Sequence, residues 1–179
     1  MRDTQDEHYM AIALELARGG LYSATPNPRV GCVLVNDGVE IGRGYHRRAG
    51  EAHAEIEALT KADGDPRGAT VYVSLEPCNH VGRTPPCTEA LIDAGIARVV
   101  YAATDPNPRV NGRGAERLRN AGIEVLGGVQ SDEAAALNRG FFSRMQDGRP
   151  FVRVKIAMSM DACVALENGE SQWITGEQA

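Results

Sequence analysis

His53, Cys78 and Cys87 supply one imidazole and two thiol groups in an order that suits a catalytic zinc. Zinc in proteins is held by imidazole nitrogen and thiolate sulfur, and a catalytic zinc usually has three protein ligands and a fourth position for water. Glu55 follows His53 by two residues and would place a carboxylate beside that water. The sequence therefore predicts a catalytic zinc site in which Glu55 moves protons to and from the water.

The order of these residues matches part of a known pattern. Zinc deaminases carry His-x-Glu followed by Pro-Cys-x-x-Cys, and their Glu is not a ligand. The first half is present as His53-Ala54-Glu55. The second half differs, because eight residues separate Cys78 from Cys87 where the pattern has two.

A structural zinc site is the alternative interpretation of the same residues. Structural zinc has four protein ligands, and the fourth would be His80, Cys32 or Cys163. Cys32 lies in an apolar run typical of a core strand, whereas Cys163 lies outside the predicted core and His80 is close enough to compete. A structural site would not need the carboxylate of Glu55 beside the metal, so the catalytic interpretation is favoured.

Several polar loops are candidates for substrate contacts. Residues 79–84 combine His, Gly, Arg and Thr beside the predicted metal, which suits either a solvated loop or a small-anion site. Segments 26–29, 105–109 and 111–114 contain Asn with Pro or Gly and a nearby Arg, and this composition favours turns. Rigid loops of this kind can also present amide groups to a heterocycle. His46, just after a predicted strand, has the same two interpretations.

Composition limits the class of protein. The chain has 179 residues, 42% of them hydrophobic, and a net charge of −5, which fits one soluble domain with a short appendage. A basic footprint typical of nucleic-acid binding is absent from the overall charge. Since no run of about 18 apolar residues occurs and the N-terminus is acidic, we expect no membrane association and a cytoplasmic location, with reduced cysteines.

Hydrophobic periodicity predicts alternating helices and strands. We expect helices at residues 6–18, 53–61, 87–94, 112–121 and 131–142, and strands at 30–35, 40–45, 70–75, 98–103, 123–126 and 151–157. Asn36-Asp37-Gly38 predicts a hairpin between the first two strands. Helices between the later strands indicate a layered α/β fold with a partly antiparallel sheet.

The sequence resembles the deaminase domain of the bifunctional riboflavin-biosynthesis deaminase–reductase family. Matching segments are Pro26 to Gly31, Gly50 to Glu55, Leu75 to Cys87 and Asp105 to Pro108. The long Cys78–Cys87 loop with Gly-Arg-Thr-Pro-Pro is the most specific of them. The resemblance implies a cytidine-deaminase-like three-layer α/β/α sandwich with a mixed central sheet, and a deaminase domain at residues 1–145.

The resemblance also implies a reaction and a set of site residues. The substrate would be 2,5-diamino-6-ribosylamino-4(3H)-pyrimidinone 5′-phosphate, and the products 5-amino-6-(5-phosphoribosylamino)uracil and ammonia. One Zn2+ per chain would be held by His53, Cys78 and Cys87, with Glu55 as the proton donor and no organic cofactor. The implied substrate contacts are Asn27, His46, His80, Arg83, Thr84, Asp105 and Asn107.

Residues 146–179 resemble the linker and opening of the family's reductase domain, which uses NADPH in full-length members. Ala157 and Trp173 match cofactor-binding positions there, and Ser171 matches a reductase-substrate position. We expect no reductase activity from so short a segment. An apolar strand at 151–157 without its usual neighbours would favour pairing with another chain, so a homo-oligomer is expected.

Two competing functions remain at this point. A related enzyme could deaminate cytidine, guanine or tRNA adenosine, although the acidic charge and the long Cys78–Cys87 loop weigh against it. A zinc-stabilised interaction domain without turnover is the second alternative, and Glu55 weighs against that one.

Overall fold

The computed structural model describes residues 4–81, 85–108 and 110–171. Its helices are α1 (Thr4–Ala17), α2 (Ala54–Thr60), α3 (Cys87–Asp93), α4 (Arg113–Asn120), α5 (Ser131–Leu137) and α6 (Arg139–Asp147), with a 3-10 turn at Arg18–Gly20. Its strands are β1 (Gly31–Asn36), β2 (Val39–Tyr45), β3 (Thr70–Leu75), β4 (Arg98–Ala103) and β5 (Glu124–Gly127). Within the described residues, no helix has the length and apolar character needed to cross a membrane.

One mixed sheet runs through the fold in the strand order β2-β1-β3-β4-β5. The hairpin β1–β2 and the pair β1–β3 are antiparallel, whereas β3–β4 and β4–β5 are parallel. The ends of parallel strands meet at one edge of a sheet, so the segments that follow β3 and β4 lie side by side. Those segments contain Cys78 and Asp105 respectively.

Helices cover both faces of the sheet, which makes three layers. Side chains of α1 and α5 pack on one face, against Val33 and Val35 of β1. Side chains of α2, α3 and α4 pack on the other, against Cys32 and Leu34. Successive residues of a strand point to opposite faces, and β1 is buried on both. The predicted three-layer α/β/α sandwich with a mixed sheet is confirmed, as is the core position of Cys32.

Close packing of α1 on the sheet depends on a glycine at the start of β1. A Cβ atom added to Gly31 would lie 2.0 Å from the carbonyl oxygen of Ala13. No side chain fits that gap, so α1 and β1 touch through their backbones. Residue 30 and the loop before it, which contains Asn27, are thereby fixed against the sheet.

Two predicted elements differ from the structure. The single helix expected at 131–142 is divided at Asn138, whose buried side chain accepts the N–H of Arg29 (2.8 Å) and donates to the carbonyl of Arg29 (2.9 Å). That exchange holds the 26–30 loop against the α5–α6 junction. The strand predicted at 151–157 is wrong for the described residues: Val152, Val154 and Ile156 are exposed and no strand pairs with them. An apolar alternation becomes a strand only beside a hydrogen-bonding neighbour.

A buried ion pair ties α1 to the sheet far from the predicted site. Both carboxylate oxygens of Asp6 accept from the Arg98 guanidinium (2.7 and 2.9 Å), and the Tyr72 hydroxyl donates to one of them. Asp6 is 2% exposed, while the Arg98 side chain is 25% exposed and also contacts Glu124. The hydrogen bond from Arg98 lowers the pKa of Asp6 below its ordinary value.

Asp6→Asn should therefore lower the free energy of unfolding by about 2–3 kcal/mol, less than the ~3–5 of a fully buried pair because Arg98 is partly solvated. A lowered folded-state pKa means that the stabilisation is present above the unfolded pKa of about 3.9 and is lost as pH falls through the folded value. Urea unfolding at several pH values measures both effects. Asp65→Asn, at an exposed carboxylate, is the matched control and should change the free energy of unfolding only slightly. A change as small as this for Asp6→Asn would contradict the prediction.

Candidate metal and catalytic site

The fold brings the three predicted zinc ligands together. Nδ1 of His53 lies 3.1 Å from Sγ of Cys87 and 3.5 Å from Sγ of Cys78, and the three donor atoms lie within 4.8 Å of one another. Tetrahedral zinc with ordinary bond lengths would separate a nitrogen ligand from a sulfur ligand by roughly 3.6 Å. The donor types and their separations fit one zinc ion.

Each of these residues is placed by the start of a helix or the end of a strand. His53 is the residue that precedes α2, Cys87 is the first residue of α3, and Cys78 follows β3. The backbone N–H of Cys87 donates to the sulfur of Cys78 (3.4 Å). Backbone donors and the positive end of a helix stabilise negative sulfur, which suits thiolate ligands.

The two thiols of the cluster differ in pKa. Contacts with Cys87 and with His53 lower the pKa of Cys78 to about 4, while Cys78 and burial raise the pKa of Cys87. The hydrogen bond to Cys78 raises the pKa of His53 to about 8. Zinc ligands bind as thiolate and neutral imidazole, so zinc binding at this cluster must release protons.

No fourth donor joins the cluster within the described part of the chain. Among those residues the cluster consists of His53, Cys78 and Cys87 alone, while Cys32 is buried in the core and Cys163 is exposed. Three donors match a catalytic centre, in which the fourth position belongs to water or substrate. The geometry therefore favours the catalytic interpretation over a closed structural site.

Glu55 lies in the first turn of α2, beside the cluster, and is 3% exposed. Burial raises the pKa of its carboxyl above the ordinary value. A raised pKa makes the carboxylate a better proton acceptor, as a proton shuttle requires. Its side chain also lines a cavity with His53 and Cys78.

That cavity has a volume of about 230 Å³ and opens to solvent. Five residues predicted to contact substrate line it together with the zinc cluster, namely Asn27, His46, His80, Asp105 and Asn107. These residues come from four separate segments of the sequence. Their convergence on one cavity makes it the candidate active site.

Asn27 and His46 form one wall of the cavity. The Nδ1 of His46 bonds to the carbonyl of Ala52 (2.9 Å), which requires a proton on Nδ1, so Nε2 is left to accept from the Asn27 amide (3.0 Å). Burial lowers the pKa of His46 and favours this neutral form. The arrangement fixes the Asn27 amide, while the His46 ring meets that of His53 edge-on at 5.3 Å.

A second wall is built by Asp105, Asn107 and Glu76. Oδ1 of Asp105 accepts the N–H of Asn107 (2.8 Å), and burial raises the pKa of Asp105 to about 6. The buried Glu76 carboxylate accepts four backbone N–H groups, those of Asp105, Gly112, Gly114 and Ala115. Glu76 thus joins the Cys78 segment to the loop after β4. Sequence reasoning gave Glu76 no role, because its partners are backbone groups distant in sequence.

Gly114 is required for this junction. A Cβ atom at residue 114 would lie 1.9 Å from the carbonyl oxygen of Pro77, so only glycine lets the start of α4 approach the segment next to Cys78.

The remaining predicted site residues have different outcomes. His80 lines the cavity, and its buried Nδ1 has no hydrogen-bond partner among the described residues. Arg83, Thr84 and Trp173 lie outside the described residues. Ala157 and Ser171 are exposed and lie apart from the residues that line the cavity.

Helix α6 supplies a wall that the sequence did not predict. Phe141, Arg144 and Met145 line the same cavity as the zinc cluster. The sequence indicated a helix there, but helical periodicity does not tell which cavity a helix borders. No signal in the sequence alone links these residues to the site.

Comparison with known families places this site in a defined class. Residues 3–103 match the cytidine and deoxycytidylate deaminase zinc-binding region. This match covers more than half of the chain and includes His53, Glu55, Cys78 and Cys87. The chain belongs to this family of zinc-binding deaminases.

Individual relatives are more specific. The riboflavin biosynthesis protein RibD of Escherichia coli is 56% identical over 98% of this chain and 48% of its own length. The solved structure of Acinetobacter baumannii RibD, form 1, has a TM-score of 0.91 at 54% identity, covering 96% of this chain and 48% of that one. A Thermotoga maritima protein described as a diaminohydroxyphosphoribosylaminopyrimidine deaminase/5-amino-6-(5-phosphoribosylamino)uracil reductase has a TM-score of 0.92 at 45% identity, covering 97% of this chain and 50% of that one.

The predicted resemblance to the riboflavin-biosynthesis family is confirmed by these comparisons. The chain spans about half the length of the curated relatives it matches.

Proposed function

We propose that this chain deaminates 2,5-diamino-6-ribosylamino-4(3H)-pyrimidinone 5′-phosphate hydrolytically, giving 5-amino-6-(5-phosphoribosylamino)uracil and ammonia in riboflavin biosynthesis. The observation that carries the proposal is the buried Glu55 beside a three-donor zinc cluster, at the base of a cavity lined by Asn27, His46, Asp105 and Asn107. The identity to RibD proteins over nearly the whole chain supports this substrate over other deaminase substrates.

The reaction depends on proton transfer by Glu55. A zinc ion held by His53, Cys78 and Cys87 would supply the Lewis acidity that lowers the pKa of water to roughly 7. Glu55 takes a proton from the attacking water and transfers it to the ring nitrogen. It then takes the proton of the new hydroxyl group on the ring carbon and delivers it to the 2-amino group, so that ammonia leaves as the carbonyl forms. One carboxylate acts as base and acid in turn, which agrees with its position and its raised pKa.

Side chains of the cavity walls hold the pyrimidinone. The fixed amide of Asn27 and the side chain of Asn107 provide donors and acceptors for the ring edge, and Asp105 accepts from an amino or ring N–H. We further propose that Arg83 and Thr84 contact the ribose phosphate together with His80, whose Nδ1 has no hydrogen-bond partner within the described part of the chain. Charge-assisted contacts to phosphate add specificity as well as affinity.

The remaining proposals concern the whole protein. We propose residues 1–145 as the deaminase domain, and 146–179 as a linker and the start of a reductase domain in which Ala157, Ser171 and Trp173 would contribute to NADPH and substrate sites. A cytoplasmic homo-oligomer that binds one zinc per chain, without nucleic acid or membrane partners, completes the proposal.

An ammonia-release assay tests the function. The zinc-loaded chain is incubated separately with the pyrimidinone phosphate, cytidine and guanine, and the products are identified by mass. We expect turnover of the pyrimidinone phosphate and little of the other two. Preferred turnover of cytidine or guanine would replace the proposal with a nucleoside or nucleobase deaminase, and no turnover of any would favour a non-catalytic zinc domain.

A further inference from the structure

Charge is unevenly distributed in the candidate active site. Three carboxylates line the cavity, those of Glu55, Glu76 and Asp105. Zinc would not offset them, because its two charges are balanced by the thiolates of its two cysteine ligands. Among the described residues that line the cavity, Arg144 is the one Lys or Arg side chain.

Arg144 lies in α6, is exposed, and lines the cavity together with Phe141 and Met145 of the same helix. One guanidinium nitrogen donates to the carbonyl of Pro26 (2.5 Å), and the guanidinium carbon lies 5.7 Å from the centre of the Phe141 ring. Pro26 and Phe141 line the cavity as well. The structure records no ion pair for Arg144 within its described residues, so its charge has no anionic partner there.

These contacts leave the guanidinium suited to bind an anion. The guanidinium contacts the aromatic ring through its planar face. Phosphate is bound by the N–H groups along the edge of the guanidinium, which this contact leaves accessible. The bond to Pro26 takes one donor of five and holds the group in place. A side chain held in this way loses less conformational entropy when it binds.

We propose that Arg144 is a further cationic contact for the phosphate group of the substrate, in addition to the contacts proposed above for Arg83, Thr84 and His80. A phosphate dianion is repelled by Glu55, Glu76 and Asp105, and Arg144 offers an uncompensated positive charge in the same cavity. This inference rests on the proposed function and makes α6 one of the elements that distinguish a phosphorylated substrate from its nucleoside.

Steady-state kinetics on the phosphorylated substrate and on its dephosphorylated analogue test the proposal. Arg144→Gln should lower kcat/KM for the phosphorylated substrate by about 10- to 100-fold, mainly through KM, and change the analogue by less than about threefold. Arg144→Lys should recover part of the loss, because it keeps the charge but not the fork of donors. Arg139→Gln, an exposed arginine of the same helix that does not line the cavity, is the control and should match the wild type.

Other results would overturn the proposal. Equal losses on both substrates would mean that Arg144 acts by holding Pro26 and the neighbouring Asn27. Unchanged kinetics would mean that the phosphate is held without Arg144, by the contacts proposed for Arg83, Thr84 and His80 alone. Calorimetric binding of ribose 5-phosphate to the zinc-loaded wild type and to Arg144→Gln separates this inference from the proposed function, since it needs no turnover: weaker binding by the variant supports the anion site, and equal or absent binding in both contradicts it.

Discussion

Glu55→Gln should reduce kcat by about 10³-fold or more while the protein still binds one zinc and substrate. General acid–base assistance alone is worth ~10²–10⁴, and Glu55 is expected to move a proton more than once in each turnover. The glutamine has nearly the same shape but cannot accept or release a proton at neutral pH. Single-turnover ammonia release, zinc content and substrate binding measured on one preparation separate the chemical step from assembly of the site.

The same variant should not be less stable than the wild type. Glu55 is 3% exposed and burial raises its pKa, so the ionised carboxylate is held at a cost in the folded state. A neutral amide removes that cost, and functional residues often limit stability in this way. Glu89→Gln is the control, because it also removes a carboxylate from the first turn of a helix, there one paired with Arg117. It shows how much stability the loss of such a carboxylate costs away from the site. Near-normal kcat in Glu55→Gln would show that the proton carrier is another group.

Much of the fold was predictable because its signals are local. Strands β1, β3 and β4 are short, largely apolar runs of the kind that predicts a buried strand, and the structure pairs them in one sheet. The strand predicted at 151–157 had the same local signal and did not form, because pairing depends on a neighbour that the local sequence does not specify. Asn138 divided a predicted helix for a similar reason, since its bonds with Arg29 join residues 109 positions apart.

The metal cluster was predictable because zinc chemistry restricts residue types strongly. His53, Cys78 and Cys87 were identified from type and order, and the structure places their donor atoms together. The walls of the cavity were less predictable. Glu76 accepts hydrogen bonds from backbone N–H groups that follow β4, and Arg144 of α6 lines the cavity. Neither backbone donors nor the orientation of a distant helix leaves a motif in the sequence.

Cys78→Ser should abolish stoichiometric zinc binding and, with it, deaminase activity. A serine hydroxyl can still accept the N–H of Cys87, which Cys78 Sγ accepts at 3.4 Å, so the local backbone keeps its hydrogen bond. The hydroxyl does not ionise near neutral pH, whereas the pKa of Cys78 is lowered to about 4 by its contacts with Cys87 and His53. Only two protein ligands of the required charge would remain, and zinc affinity depends on deprotonated donors.

Elemental analysis should find close to one zinc per chain in the wild type and much less in Cys78→Ser. Cys32→Ala is the matched control, because Cys32 is a buried cysteine of the core outside the cluster: it should keep zinc and lose only some packing free energy. Since a ligand stabilises the folded state that binds it, a chelator should lower the unfolding temperature of the wild type and of Cys32→Ala, and leave Cys78→Ser unchanged. If Cys78→Ser retained a full equivalent of zinc, or if Cys32→Ala lost it, the ligand assignment would be wrong and the metal would have to be sought at other donors.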